Sequence, residues 1–557
     1  MKKIVLSCLA ATIACICHSA TAKKSGNDLA LYDDSSRAVL SKHETERLQS
    51  VEGTFPRPQY QVADPKFAKE WQGLAKHNIP EWLIDAKFGI YTHWGVYSVP
   101  AHKTNVYVKH MYDVNDSQGI DEHHVKTYGK PTEFGYTKFV EQFKAEKYDP
   151  KEMLQLMIDA GAKFGGLGAV HHDGFLMWDS EINRWNAGNM GPKRDLYGEF
   201  VTEARKQDDF KVVASFHHAR TFGMLDKIYK NNNFTDEEKS KLDIYNPEYS
   251  DFFVSERSTK MTVDQFAQQW HDKIVEVVDK YAPDLFFFDG INRTSENSPE
   301  HLVVDALEHF YDQGKDVAVV NKLPGGKIYN FPEGVGIKAY ENGRDMPPDV
   351  GGYFLVDRAI SYPWTYVKEK QYKLTANYHI DTIMDMISRG GIYLLSLTPM
   401  ASGEIAAAEK DIFLNIGKWM KVNGEAIYNT RRWTIPAEGP GSIWTVGKKK
   451  VTKKTAKKKL NNRFIWSYNK VQDGEIRFTQ SKDKKTLYAM SLTWPETGKV
   501  VIESLSKSSP YYQGSVNSVE MLGYGKVPFT RTSAGLEITL PEQPSSVFDY
   551  GMSFKIK

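Results

Sequence analysis

Apolar runs that stop abruptly in polar or aromatic residues dominate the pattern along this chain. Pro283-Asp284-Leu285-Phe286-Phe287-Phe288-Asp289-Gly290 is the sharpest example, an unbroken apolar stretch ending in a carboxylate and a glycine. Such a run reads as a strand buried on both faces, as in a parallel sheet covered by helices. Further runs end in the same way. Lys87–Gly95 ends in His93-Trp94-Gly95, Lys163–Gly174 in His171-His172-Asp173-Gly174, and Phe210–His218 in His217-His218. Asp316–Lys322 ends in Asn321-Lys322, and Gly391–Pro399 closes the series. Helical periodicity fills the intervals at Pro150–Ala160, Gly198–Gln207, Val263–Tyr281, Pro299–Gln313 and Asn377–Ser388. Strands alternating with helices predict a parallel α/β architecture. In a barrel of such strands the C-terminal strand ends share one open face. The collected polar ends therefore predict a pocket for a sugar or another polyol, although an Asp such as Asp289 also serves, on its own, as a helix cap.

The texture changes after Trp433. A last helical pattern covers Ala406–Lys421, and beyond it come short alternating runs such as Ile476–Thr479, Thr486–Leu492 and Leu536–Leu540. These predict an antiparallel β-sandwich over residues 434–557, behind an α/β domain over 67–433. Residues 23–66 are polar and predict a surface extension. Lys448–Lys459 holds eight lysines, which reads as a solvated hairpin tip, with an adhesive patch for an anionic polysaccharide as the alternative.

Composition narrows the function. With 72 basic and 70 acidic residues among 557, no charge excess points to nucleic acid. Lys2-Lys3, the thirteen-residue stretch Ile4–Ile16 and Ala20-Thr21-Ala22 form a secretory signal expected to be cut after Ala22. A lipoprotein acylated on Cys8, Cys15 or Cys17 is the alternative. All three cysteines lie in this leader, so the mature chain has neither disulfides nor thiolate chemistry. No later run reaches the roughly 18 apolar residues of a membrane span. A soluble exported protein is expected, of unknown oligomeric state.

With these residues assembled, the chain resembles glycoside hydrolase family 29, the α-L-fucosidases. The resemblance rests on Lys87–Ala101 (KFGIYTHWGVYSVPA), Asp159–Ala187, Pro192–Asp195, Pro283–Gly290 and Gly390–Arg431. It implies a (β/α)8-like TIM barrel catalytic domain followed by a C-terminal β-sandwich. It implies retaining hydrolysis of a terminal α-L-fucosyl bond of an oligosaccharide or polysaccharide, with no cofactor and no metal. Such chemistry requires two carboxyl groups about 5–5.5 Å apart. Asp289 matches the nucleophile, which positive charge should hold ionised. Glu341 best matches the acid/base loop, with Glu333 in reserve and Asp357 third. His93, His171 and His172 match residues that hydrogen-bond the sugar, and Trp185 is placed as a pocket wall or a packing residue. His217, Phe287 and Lys322 stand where relatives carry other groups, as do Asn105 and Val106. Those departures leave an α-L-galactosidase acting on algal polysaccharide, sulfated or not, as an alternative, and a catalytically decayed sugar-binding protein as another. Metal binding is not expected, because adjacent histidines of a strand point to opposite faces and no third ligand has suitable spacing.

Overall fold

The structure is a computed structural model. It describes residues 59–60, 68–231, 234–255, 261–290, 300–322, 328–329, 331–343, 346, 350–439, 471 and 473–557. The leader, almost all of the polar extension and the lysine-rich stretch lie outside these residues.

Eight parallel strands close into a barrel. They are β1 (Phe88–Thr92), β2 (Phe164–Gly166, continued as Gly168–Val170) and β3 (Lys211–Phe216), then β4 (Leu285–Phe288) and β5 (Ala318–Lys322). β6 (Ile337–Ala339), β7 (Phe354–Ala359) and β8 (Gly391–Leu397) complete the set. β8 returns to β1 with Leu397 opposite Thr92, and β2 meets both β1 and β3, so no strand edge remains open. Helices α1 (Pro150–Asp159), α2 (Leu196–Ala204), α3 (Val263–Tyr281), α4 (Glu300–Tyr311), α5 (Ala376–Ser388) and α6 (Ala407–Asn423) pack outside. Their starts are written locally. Asp149 caps α1 ahead of Pro150, and Thr262 forms a capping box with Gln265 at α3.

The period of two along each strand divides the side chains. Phe286 and Phe288 face the helices, with Phe286 edge-on to Phe310 of α4. Leu285 and Phe287 face inward, where Tyr91, Val213, Val320, Leu355 and Leu394 join them in the barrel's own core. Two strands were not legible in the sequence, β6 and β7. β6 has three residues, and β7 carries Asp357 and Arg358 in mid-strand, so neither shows an apolar run. Among the described residues no α-helix stands between β5 and β7, which leaves that side of the barrel irregular.

The C-terminal part is an antiparallel pair of sheets. One joins β9 (Thr430–Glu438), β10 (Ile476–Ser481), β11 (Leu487–Ser491), β13 (Val519–Met521), β14 (Gly525–Lys526) and β17 (Met552–Ile556). The other joins β12 (Lys499–Ile502), β15 (Phe529–Arg531) and β16 (Leu536–Thr539). No helix among the described residues is long and apolar enough to cross a membrane.

A buried ion pair fastens the two parts. Arg477 of β10 donates through Nε to Asp385 of α5 at 2.6 Å and through one terminal nitrogen to Glu475 at 3.1 Å. All three residues are buried, and removing the cation takes from Asp385 and Glu475 a charge that offsets their burial, with Arg389 left 3.8 Å from Asp385. Arg477→Leu should therefore cost about 3–5 kcal/mol in urea unfolding. A loss below about 1 kcal/mol would show that the domain contact does not depend on this pair.

Candidate active site

The inward register that builds the barrel core also builds the site. Two residues beyond each inward apolar position, the same face of the strand reaches the rim. Tyr91 is followed by His93, Phe287 by Asp289, Val320 by Lys322, Ala339 by Glu341, Leu355 by Asp357 and Leu394 by Ser396. On β3, Val213 and Ser215 lead to His217. Seven polar side chains from seven strands therefore converge without any special turn.

At the centre stands Lys322, which is almost wholly buried. Its Nζ lies 2.9 Å from Asp289 Oδ1, 3.2 Å from Asp357 Oδ2 and 3.6 Å from Glu341 Oε2. The Phe287 ring lies 5.1 Å from the same ammonium. Phe287 is fully buried, so it acts as a floor beneath Lys322. Burial alone would push the Asp289 carboxyl up, but the charge of Lys322 and of Arg220, at 3.8 Å, outweighs it and holds the group well below the usual carboxylate range. Asp289 is thus ionised at neutral pH. Burial wins at Asp357, which is pushed up to about 6 against the pull of Lys322. Lys322 itself is raised, because its three carboxylate neighbours outweigh its burial.

Of the three acid/base candidates, Glu341 and Asp357 both reach Lys322. Glu333 instead pairs with Lys338 at 3.4 Å. Glu341 opens a single turn, Glu341–Gly343, in which Asn342 adopts a left-handed φ of 56° and Arg358 donates to its carbonyl at 3.2 Å. Its side chain is 27% exposed whereas that of Asp357 is fully buried, so Glu341 is the one open to a leaving group and to water. Asp289 Oδ1 at 2.9 Å and Glu341 Oε2 at 3.6 Å thus flank one ammonium.

Histidines form the opposite wall. His172 donates from Nδ1 to the His217 carbonyl at 2.8 Å, and burial lowers it to about 4. The ring is neutral at pH 7, with the Nε2 lone pair 3.5 Å from Asp289, a contact without ionic character and well placed to accept a sugar hydroxyl. His93 Nδ1 lies 2.8 Å from Ser396 Oγ, and His171 Nε2 lies 3.2 Å from the Asn105 amide. Burial also lowers His93, His171 and His217 well below the ordinary imidazole value.

Adjacent histidines point to opposite faces in one pair and not in the other. His217 points into the barrel while His218 points out, meeting Lys273 Nζ of α3 at 2.9 Å. His171 and His172, however, lie past the end of β2, where Asp173 and Gly174 (φ 84°) turn the chain, and their ring centroids are 4.3 Å apart. Strand alternation no longer applies there. One nitrogen from each of His93, His171 and His217 lies within 4.8 Å of the other two, so barrel closure brings together three imidazoles that spacing along the chain did not.

Trp185 is buried. It donates to Asp251 at 2.8 Å and stacks on Phe252 at 4.3 Å, which makes packing its described role. Arg220 escaped the sequence reading, although a base three residues past a strand-end histidine was the available signal.

A closed (β/α)8 barrel whose rim joins an ionised Asp, a second exposed carboxyl and a wall of neutral imidazoles defines a glycoside hydrolase. The family model described as alpha-L-fucosidase matches residues 55–425, and that for the alpha-L-fucosidase C-terminal domain matches residues 469–557. The chain belongs to the α-L-fucosidase family, glycoside hydrolase family 29. It is 27% identical over 518 residues to the tissue α-L-fucosidase of Rattus norvegicus, covering 89% of this chain and 93% of that one. The human tissue enzyme is also 27% identical, with 88% and 91% covered. Among solved structures, Thermotoga maritima α-fucosidase superposes with a TM-score of 0.63 at 24% identity, over 87% of this chain and 99% of that one. A Bacteroides thetaiotaomicron family 29 α-L-fucosidase, solved as a trapped covalent intermediate, gives 0.59 at 17%, over 90% and 98%. At these identities the likeness establishes the fold.

Replacing Lys322 by Met should test the electrostatics directly. Without the ammonium the Asp289 carboxyl moves up, so the acid limb of the kcat/KM profile should shift to higher pH by about 1–3 pH units. An unmoved acid limb would show that Lys322 does not hold Asp289 ionised.

Proposed function

We propose that this protein is an exported, exo-acting, retaining α-L-fucosidase that removes terminal α-L-fucosyl residues from glycans or polysaccharides. The observation that carries the reading is Asp289, ionised by Lys322 at 2.9 Å and facing a partly exposed second carboxyl on the same ammonium. In the first step the Asp289 carboxylate attacks the anomeric carbon while Glu341 gives its proton to the departing oxygen. The glycosidic bond breaks and a fucosyl ester forms on Asp289. In the second step Glu341 takes a proton from water, water attacks the same carbon, and the ester is released with the original anomeric configuration. His172 Nε2 accepts a hydroxyl proton beside the nucleophile and fixes the ring against it. The covalent intermediate trapped in the Bacteroides relative supports the two-step scheme. An ionised nucleophile, held at a cost in buried charge, also argues against a protein that only binds sugar.

Azide separates the two acid candidates. Glu341→Ala should lower turnover of an aryl α-L-fucoside by about 10²–10⁴-fold. Azide should restore it and yield α-L-fucosyl azide. Asp289→Ala should be inactive, and Asp357→Ala should show no azide rescue. Rescue in Asp357→Ala but not in Glu341→Ala would assign the acid to Asp357. A β-configured first product from the parent enzyme would end the retaining scheme. Export follows from the leader, and Edman sequencing of the secreted protein should begin at Lys23. A mature chain retaining Met1 would contradict it.

A further inference from the structure

The scheme above gives His93, His171 and His217 no step, yet they form a specific arrangement. They come from three neighbouring strands, β1, β2 and β3, along one arc of the rim. Their ring centroids are 5.5 Å (His93–His171), 5.1 Å (His93–His217) and 4.8 Å (His171–His217) apart. All three are buried, and one ring nitrogen of each lies within 4.8 Å of the others. Each ring is oriented from behind by a polar neighbour on a single nitrogen. These neighbours are Ser396 Oγ at 2.8 Å for His93 Nδ1, Ser215 Oγ at 3.3 Å for His217 Nδ1, and the Asn105 amide at 3.2 Å for His171 Nε2. The remaining nitrogen of His171, Nδ1, is buried with no hydrogen-bond partner. Outer hydrogen bonds of this kind set the tautomer and direction of ligating imidazoles. The Asn105 atom in that contact is Nδ2, a donor, so a metal ion on Nδ1 requires the Asn105 amide to turn and accept from Nε2–H.

We propose that His93, His171 and His217 bind a divalent transition-metal ion, Zn²⁺ foremost, in the sugar pocket, and that ion and sugar exclude each other. Three imidazoles and no thiolate favour Zn²⁺, Co²⁺, Ni²⁺ or Cu²⁺ over Mg²⁺ and Ca²⁺, which seek oxygen ligands. Zn²⁺ accepts three histidines with a fourth position left open, at metal–nitrogen distances of about 2.0–2.1 Å. The rings must draw together to reach that distance, a small rotation for side chains at strand ends. Asp289 favours a cation beside it, whereas Lys322 and Arg220 oppose one and set an upper bound on affinity. The ion would occupy the space in which the imidazoles meet sugar hydroxyls, so it acts as a reversible inhibitor. Metal binding stands apart from the hydrolytic reading, and only the competition rests on it.

The full-length chain, stripped with chelator, is titrated with Co²⁺. A visible four-coordinate Co²⁺ spectrum saturating at one equivalent, and abolished by Zn²⁺, is the expected result. Zn²⁺ should inhibit hydrolysis of an aryl α-L-fucoside competitively, with full reversal by EDTA. His217→Phe should lose the spectrum and weaken Zn²⁺ inhibition by at least about 10–100-fold. His309→Gln, at an exposed histidine paired with Asp279, should change neither. If His217→Phe fails to fold by circular dichroism, His93→Gln carries the same reading. No saturable spectrum, or one that survives loss of His217 or His93, overturns the site. Non-competitive inhibition overturns the exclusion of sugar.

Discussion

The site depends on one buried ammonium serving three carboxylates. Lys322 cannot neutralise Asp289, Glu341 and Asp357 at once, so the inequality among them is what the geometry sets. Asp289 is nearest, at 2.9 Å, and it gains a second cation in Arg220, which keeps it ionised. Asp357 has no exposed surface, and desolvation raises it. Glu341 lies farthest, at 3.6 Å, with part of its carboxyl open to solvent. Such a gradient of charge and burial pushes the protonation of neighbouring carboxyls apart within one small cluster. It also explains the fully buried Phe287, whose ring face supports the ammonium that all three acids share.

The same alternation that packs the barrel delivers this cluster. Leu285 and Phe287 are core, and Asp289, next on the same face, is chemistry; Val320 and Lys322 repeat the pattern, as do Ala339 and Glu341. A shift of one residue in any strand would exchange its site residue for a helix-facing one. His217 and His218 show the consequence, one lining the pocket and the other held by Lys273 behind the sheet. The barrel's closed ladder and the buried Arg477–Asp385 contact therefore bear on catalysis indirectly, by fixing register and by holding α5 against the sandwich.

Much of this was legible beforehand because long apolar runs announce themselves. β1, β2, β3, β4, β5 and β8 each end in a polar residue that the structure places at the rim, and α3 spans Val263–Tyr281 as its periodicity indicates. β6 and β7 were not legible. Ile337–Ala339 is too short to show a period, and Phe354–Ala359 buries Asp357 and Arg358 against the usual pattern. The buried charge that hid β7 is the same one that joins the Lys322 cluster.

By itself the sequence determined the alternating α/β order, the antiparallel tail and the place of Asp289 at a strand end, because these rest on local period and on a motif contiguous in the chain. Tertiary structure alone decided which carboxyls share Lys322, that Glu333 pairs elsewhere, that Trp185 packs on Phe252, and that three histidines from separate strands meet. Such relations depend on barrel closure, which brings residues far apart in sequence to within a few ångströms, a distance no spacing along the chain encodes.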